Sequence, residues 1–230
     1  MRNTYDINFK SPVLIAGIER SGCGIVSRLL EGHGIWTGST TGTGENKRLK
    51  GLMNAYYNFL GKDLKRQYPI PDLETLYIDP TWANRVQDCI CTEGYQGEKW
   101  LYKSSALLQT YPLWIDAFPD AVWVVVQRDE REIIHSCLHT GHMIAFSDKK
   151  IQEKIGVLTE KDGWRWWHDQ HQRMIETLKQ RVQVIEVYPA DFKSTKTITW
   201  FLERFGIVPH FGKCSDIQRL IKKIDHEDGC

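Results

Sequence analysis

The chain has 230 residues, of which 41% are hydrophobic and 26% charged, a composition typical of a globular protein. Its 30 basic and 29 acidic residues leave a formal charge of +1, whereas nucleic-acid-binding domains usually carry a basic excess. The apolar run over residues 12–18 is far shorter than a membrane-spanning helix and lacks the features of a secretory signal. We therefore expect one cytoplasmic domain over residues 1–230, with neither nucleic acid nor membrane as a partner.

Hydrophobic patterns predict strands that alternate with helices along the chain. The predicted strands cover residues 12–16, 99–103, 121–127 and 182–188. The predicted helices cover residues 22–31, 46–60, 106–118, 130–140, 161–180, 194–205 and 215–224, with Asp129 as the N-cap of the fourth. Residues 32–44, rich in glycine and hydroxyl side chains, predict a loop, and residues 61–97 carry no pattern that assigns an element. Such alternation predicts an α/β fold with a mostly parallel sheet flanked by helices, which binds ligands beyond the carboxyl ends of its strands.

The turn between the first strand and the first helix has the features of an anion-binding site. Backbone amides at the start of a helix and the helix dipole attract negative charge. A nucleotide-hydrolysing P-loop reads GxxxxGK(S/T); here Gly17 and Gly22 match its glycines, but Cys23 replaces the lysine and Gly24 the metal-binding hydroxyl. These replacements disfavour magnesium-dependent γ-phosphate chemistry. The cation of this turn is Arg20, which lies upstream.

Arg20, Ser21 and Gly22, placed between a strand and a helix, resemble the first signature of the sulfotransferases. That signature reads Pro-Arg/Lys-Ser-Gly-Thr/Ser-Thr/Ser and holds the 5′-phosphosulfate of 3′-phosphoadenosine 5′-phosphosulfate (PAPS). Glu19, Cys23 and Gly24 depart from it, which removes two expected hydroxyl contacts. The resemblance implies that the donor is bound in this turn by Arg20, Ser21, Gly22, Cys23, Gly24, Ile25 and Ser27, the last compensating for the absent hydroxyls.

A second resemblance lies at the end of the strand predicted over residues 121–127. Arg128 follows this strand, and Ser136 comes eight residues later on the next helix. Sulfotransferases have the same Arg-x7-Ser spacing, and there the pair holds the 3′-phosphate of the donor. The planar guanidinium of arginine suits phosphate oxygens. The structural alternative is a surface ion pair of Arg128 with Asp129 or Glu132.

The resemblance to sulfotransferases extends over about two-thirds of the chain and implies a three-layer, P-loop NTPase-like α/β fold of the small bacterial or phage type. Lys103, at the end of the strand over residues 99–103, would face the transferring sulfuryl group, and Tyr188 would lie near the adenine base. Sulfuryl transfer is an in-line displacement that depends on positioning and electrostatic stabilisation. Protein cations suffice for it, so we expect no metal.

The general base is the least defined part of the predicted site. Cytosolic sulfotransferases place a histidine two residues after the strand lysine, where this chain has Ser105. Other branches use a glutamate after the first signature, and Glu45 is the best match, with Glu19 and His33 as rivals. A purely structural role for Glu45, stabilising a helix N-terminus, is the alternative. The predicted catalytic residues are therefore Glu45, Lys103 and Arg20.

Other functions were weighed against the sulfotransferase interpretation. A nucleophilic Cys23 of the Cys-x5-Arg type is disfavoured because Arg28 comes one residue too early. The histidines and the cysteine between residues 135 and 142 lack a strong metal-ligand pattern. A P-loop kinase or nucleoside-triphosphate hydrolase and a catalytically inactive nucleotide-binding module remain alternatives. The expected partners are the nucleotide and a hydroxyl- or amine-bearing acceptor, whose pocket residues 32–44 and 61–97 would line.

Overall fold

The computed structural model describes residues 9–63, 65–210, 212–213, 215–219 and 221. Within these residues the sheet has four strands, namely β1 (Val13–Gly17), β2 (Leu101–Lys103), β3 (Val122–Val126) and β4 (Val184–Val187). Their order is β2-β1-β3-β4, and every pairing is parallel. The helices are α1 (Cys23–Gly32), α2 (Lys47–Phe59), α3 (Trp82–Thr92), α4 (Ala106–Ala117), α5 (Glu130–His139), α6 (Lys149–Ile155), α7 (Glu160–Arg181) and α8 (Thr195–Glu203). The predicted α/β class with a parallel sheet between helices is confirmed.

The strand order determines where ligands can bind. The chain passes from β1 to β2 on one side and then returns to place β3 on the other side of β1. The connections therefore diverge at the carboxyl ends of β1 and β3, which is the switch point where α/β sheets bind ligands. Gly17 pairs with Val126 at these ends, so the segments that follow the two strands begin side by side.

Alternate side chains of the sheet enter two separate cores, because successive residues of a strand point to opposite faces. On one face Leu14 and Val125 pack against α2, α3, α4, α5 and α7. On the other face Ile15 and Val124 pack against α1 and α8. Six of the nine tryptophans are fully buried, namely Trp82, Trp100, Trp114, Trp123, Trp164 and Trp167. The three layers thus hold the strand ends in fixed relative positions.

The element boundaries differ from the predicted ones by one or two residues at most termini, and Asp129 caps α5 as expected, accepting a hydrogen bond from the Arg131 amide at 2.8 Å. Two helices were not predicted. α6 has seven residues with one buried side chain, so it produces no periodic signal. α3 buries Trp82, Val86 and Ile90, which are spaced four residues apart, so the sequence contained its helical pattern and the prediction missed it. Of the helix predicted over residues 215–224, residues 215–219 are helical and the end lies outside the described residues.

None of the helices in the described part of the chain combines the length and the hydrophobicity that a membrane crossing requires.

Candidate active-site cleft

A cleft of about 1180 Å³ opens at the carboxyl ends of the strands. The turn after β1 forms one wall, and Lys103 at the end of β2, Arg128 after β3 and Tyr188 after β4 also line it. All four strands therefore contribute to one cavity, as the switch point requires. Tyr188 lies at the rim and is half exposed.

The turn after β1 is closed so tightly that only glycine fits at its start. A Cβ atom on Gly17 would lie 2.6 Å from the Ser21 hydroxyl and 2.8 Å from the Val126 carbonyl oxygen. Arg20 has φ 74° and Gly22 has φ 94°; the left-handed conformation costs a non-glycine residue about 1–2 kcal/mol. The protein thus maintains a strained arginine at the centre of the turn, as occurs at functional sites.

Helix α1 presents its N-terminus to the cleft without a side-chain cap. Its N-cap residue, Gly22, makes no capping hydrogen bond, and no acidic residue occupies the first turn. The first amides of a helix lack partners within the helix, and here no capping side chain satisfies them. The donor set of this turn, backbone amides together with Arg20, therefore suits a phosphate or sulfate group.

The two segments predicted to bind anions are joined by direct contacts. Arg20 Nε donates to Ser136 Oγ at 2.8 Å, and Arg128 Nη1 donates to the Arg20 carbonyl at 3.1 Å. Arg128 also pairs with Glu132 through Nε at 2.6 Å, so the surface ion pair considered above coexists with the cleft position. Ser136 and Arg128 lie 116 and 108 positions from Arg20 in the sequence, and the fold brings all three into one cationic site.

Most of the predicted donor-binding residues line the cleft, and two do not. The lining includes Arg20, Ser21, Gly22, Cys23, Gly24, Ile25, Arg128 and Tyr188. Ser136 is 5% exposed and reaches the site through Arg20. Ser27 is 1% exposed on the buried side of α1 and does not line the cleft, so its predicted compensating contact has no support from the geometry.

Cys23 is a buried thiol without the features of a nucleophile. Its sulfur lies 3.4 Å from the Ser21 hydroxyl. Burial raises the pKa of Cys23 and outweighs the opposing effects of Lys103 and Ser21, so the thiol stays protonated at neutral pH. Within the described residues no three His, Cys, Asp or Glu side chains are grouped so that they could share a metal ion.

Glu45 lies in the cleft inside a network of hydrogen bonds and ion pairs. Its Oε1 accepts from Ser104 Oγ at 2.5 Å and from Arg66 Nη1 at 3.1 Å, and its Oε2 lies 3.4 Å from Lys50 Nζ. Burial alone would raise the pKa of Glu45, but Arg66, Ser104, Lys103 and Lys50 together lower it below its usual value. Glu45 is therefore ionised at neutral pH.

Lys103 is positioned by the loop before α2, because its Nζ donates to the Thr43 carbonyl at 3.1 Å. Glu19 lines the same cleft, and its Oε1 lies 3.7 Å from His142 Nε2. His33 lies elsewhere: its Nδ1 bonds the Leu29 carbonyl and its Nε2 accepts from the His210 amide. Both ring nitrogens of His33 are thus occupied, and it does not line the cleft.

The cleft-side residues that were not found from the sequence include Lys50, Arg66, Ser104 and His142. Arg66 holds Glu45 through one terminal nitrogen and Asn54 through the other, at 2.8 Å, and it has φ 61°. It lies in residues 65–81, which form no helix or strand, so no periodic pattern marks its position. Only Ser104 had a sequence signal, its position directly after Lys103 at a strand end.

The fold and the cleft define a P-loop-like α/β protein with a composite anion site at the switch point of its sheet. Residues 12–194 match a family model described as the sulfotransferase family. The chain belongs to this family, and membership indicates sulfuryl transfer as its activity. No curated protein matches the sequence significantly.

Solved structures of sulfotransferases share the fold. The chain is similar to sulfotransferase STF1 from Mycobacterium tuberculosis, with a TM-score of 0.52 and 14% identity over 94% of this chain and 72% of that one. It is similar to sulfotransferase STF9 from Mycobacterium avium, with a TM-score of 0.54 and 13% identity over 96% and 70% of the two chains. It is also similar to the sulfotransferase domain from the curacin biosynthetic pathway, with a TM-score of 0.51 and 12% identity over 90% of this chain and 77% of that one. At these identities the likeness concerns the fold.

Proposed function

We propose that the protein transfers a sulfuryl group from PAPS to a hydroxyl or amine of an acceptor by in-line displacement. One observation carries this proposal: the hydrogen bonds that join Arg20 to Ser136 and Arg128 to the Arg20 carbonyl. PAPS carries a phosphosulfate at the 5′ position and a phosphate at the 3′ position of one ribose. Arg128 bonds the backbone of the turn that carries Arg20, so both cations lie on one cleft, which suits such a ligand better than a nucleotide charged at one end only.

The residues of the cleft fit this donor. The uncapped amides at the start of α1, with Arg20 and Ser21, would hold the phosphosulfate. Arg128 and Ser136 would hold the 3′-phosphate. The Ser136 hydroxyl accepts from Arg20 and still has its own proton to donate, since a hydroxyl is both donor and acceptor. Ile25 and Tyr188 are the apolar and aromatic surfaces left for the base.

The donor, when bound, supplies an activated sulfur atom, and the chain's own groups supply position and charge. Lys103, held by the Thr43 carbonyl, and Arg20 would stabilise the negative charge that develops on the leaving phosphate oxygen. Glu45 is ionised and accepts hydrogen bonds mostly through Oε1. A carboxylate has about four lone-pair sites, so Oε2 can still accept a hydrogen bond from the acceptor hydroxyl and orient it.

Titration calorimetry with adenosine 3′,5′-bisphosphate, the product of the donor, tests the proposal. We expect binding that does not require magnesium, because the turn lacks the lysine and hydroxyl of metal-dependent P-loops. Magnesium-dependent binding of adenosine triphosphate without binding of the bisphosphate would instead favour a kinase or hydrolase. Binding of the bisphosphate without transfer from PAPS to any hydroxyl or amine would indicate an inactive module. The cytoplasmic location and the single domain over residues 1–230 stay predictions.

A further inference from the structure

Two carboxylates line the same cleft in opposite electrostatic surroundings. Glu45 is surrounded by Arg66, Lys50 and Ser104. Within the described part of the chain, the Glu19 side chain forms no hydrogen bond and no ion pair with a lysine or arginine; its contact there is His142. Burial raises the pKa of Glu19, the charge of Glu45 raises it further, and His142, Lys103 and Arg20 only partly oppose this. Carboxylates whose pKa values are separated by their surroundings are suited to different roles in one reaction.

His142 is the more exposed neighbour of Glu19, whose own side chain is 29% exposed. The His142 side chain is 61% exposed, and its Nε2 lies 3.7 Å from Glu19 Oε1. The backbone around it is held by Gln67, which is 2% exposed. Gln67 Nε2 donates to the His142 carbonyl at 2.8 Å, and Gln67 Oε1 accepts from the amides of Ile144 and Ala145 at 3.0 Å. A buried side chain thus fixes an exposed imidazole beside a partly buried carboxylate.

We propose that Glu19 and His142 form the route by which the acceptor's proton leaves the cleft, an inference that rests on the proposed sulfotransferase function. In the transfer step the acceptor oxygen forms a bond to sulfur, and the bond between sulfur and the 5′-phosphate oxygen breaks with its electron pair kept by the bisphosphate. The acceptor's proton, oriented by Glu45, ends on the carboxylate of Glu19. His142 then exchanges that proton with water.

The electrostatics give this transfer a direction. Glu45 holds a proton less tightly than an ordinary carboxyl and Glu19 holds one more tightly, so Glu19 is the better proton acceptor of these two carboxylates that line the cleft. The charged and titratable groups that act on Glu19 are His142, Lys103, Glu45 and Arg20. A phosphate bound in the turn beside Glu19 adds a like charge and raises its pKa further. The complex with bisphosphate therefore favours protonated Glu19, which is the state expected directly after transfer.

The first test needs no acceptor. Bisphosphate binding is measured by calorimetry at neutral pH in buffers of different ionisation enthalpy, which counts the protons exchanged on binding. We expect Glu19→Gln to take up fewer protons than the unaltered protein and to bind the bisphosphate about threefold or more tightly, because a nearby negative charge is removed. Glu153→Gln, which removes an exposed carboxylate on α6 outside the cleft, is the control and should keep the uptake. Equal uptake in the unaltered protein and in Glu19→Gln would overturn the proposal.

The second test addresses His142 through the rate of proton uptake, followed by stopped flow with a pH-indicator dye after mixing with bisphosphate. We expect His142→Gln to slow the uptake about fivefold or more without changing its amplitude, and added imidazole to restore the rate. His139→Gln, which alters an exposed histidine on α5, should have no effect. An unchanged rate in His142→Gln would remove His142 from the route. If the unaltered protein does not bind the bisphosphate, the proposed function fails and the relay with it.

Discussion

The cleft has two sides that are built differently. The side that we propose for the donor, here called the donor side, consists of the turn after β1 and the ends of β3 and β4, segments that follow directly from buried strands. The side that we propose for the acceptor, here called the acceptor side, is assembled around Glu45 by Arg66, Ser104 and Lys50, with His142 held by Gln67. On the donor side the sheet fixes the geometry, and on the acceptor side buried polar contacts between irregular segments fix it. We therefore expect substitutions on the donor side to lower the affinity for the nucleotide, and substitutions on the acceptor side to lower stability or the rate of turnover.

Arg66→Met should cause the largest effect on stability. Arg66 and Glu45 are both buried, with side-chain exposures of 7% and 8%, and removing Arg66 leaves the Glu45 carboxylate with only the half-exposed Lys50 and the Ser104 hydroxyl as partners. We expect a loss of about 3–5 kcal/mol in the free energy of unfolding, measured by urea denaturation. The double variant Arg66→Met with Glu45→Gln should recover part of this loss. A single variant as stable as the unaltered protein would show that the acceptor side does not depend on this pair.

Arg128→Ala tests the donor side. It removes a charge-assisted contact to the 3′-phosphate, so bisphosphate binding should weaken by about 2–4 kcal/mol, measured by calorimetry. Thermal unfolding should change little, because Arg128 lies at the surface of the cleft. Arg131→Ala is the matched control, since it removes the same charge from the exposed face of the neighbouring helix turn. Equal affinity in the two variants would exclude Arg128 from the nucleotide site.

Glu45→Gln separates orientation of the acceptor from donor binding. We expect single-turnover transfer from PAPS to slow about 10²-fold, at the lower end of general-base effects, while bisphosphate affinity stays within about twofold. Glutamine keeps a hydrogen-bond acceptor but loses the negative charge that orients and polarises the acceptor hydroxyl. The comparison with Glu19→Gln shows which carboxylate limits the rate. Full activity of Glu45→Gln would leave Glu45 with a structural role only.

The difference between the two sides also explains what could be predicted from the sequence. A buried β-branched strand such as residues 122–126 and the glycines of the turn after β1 impose local patterns, so the parallel sheet could be predicted, and with it the position of the turn and of Arg128 at the strand ends that line the cleft. Arg66 and Gln67 lie in a stretch without periodicity, and their positions depend on contacts with residues 21 and 75 positions away. No local pattern encodes such contacts. For the same reason His142 could not be paired with Glu19 in advance.

A single residue can go against the local pattern as well. Ser27 was predicted to replace the hydroxyls missing at positions 23 and 24, because it lies one turn further along α1. The Ser27 side chain is buried instead, with its hydroxyl 3.9 Å from the position of a Cβ atom on Gly44. Helical spacing determines which face a residue occupies, but the neighbouring segments determine whether that face is open to a ligand. Here the loop before α2 lies beside that face.

Gly24→Ser offers the smallest and most specific test of the donor side. A Cβ atom on Gly24 has the Thr43 carbonyl oxygen at 3.6 Å as its nearest neighbour, so serine fits at the second residue of α1 and brings back a hydroxyl typical of the family signature. One added hydrogen bond to the bound phosphate should strengthen bisphosphate binding by about 0.5–1.5 kcal/mol.

Gly22→Ser is the matched control for this gain, because its φ is 94° and its Cβ would lie 2.8 Å from Pro189 Cγ. That substitution strains the turn and should weaken bisphosphate binding. Calorimetry with the bisphosphate on both variants shows whether the hydroxyl absent from position 24 limits binding, or whether the turn binds a ligand that does not need this hydroxyl. If Gly24→Ser binds the bisphosphate no better although it folds normally, the turn holds its anion through backbone amides and Arg20 alone, and the departure from the family signature has no energetic consequence at that position.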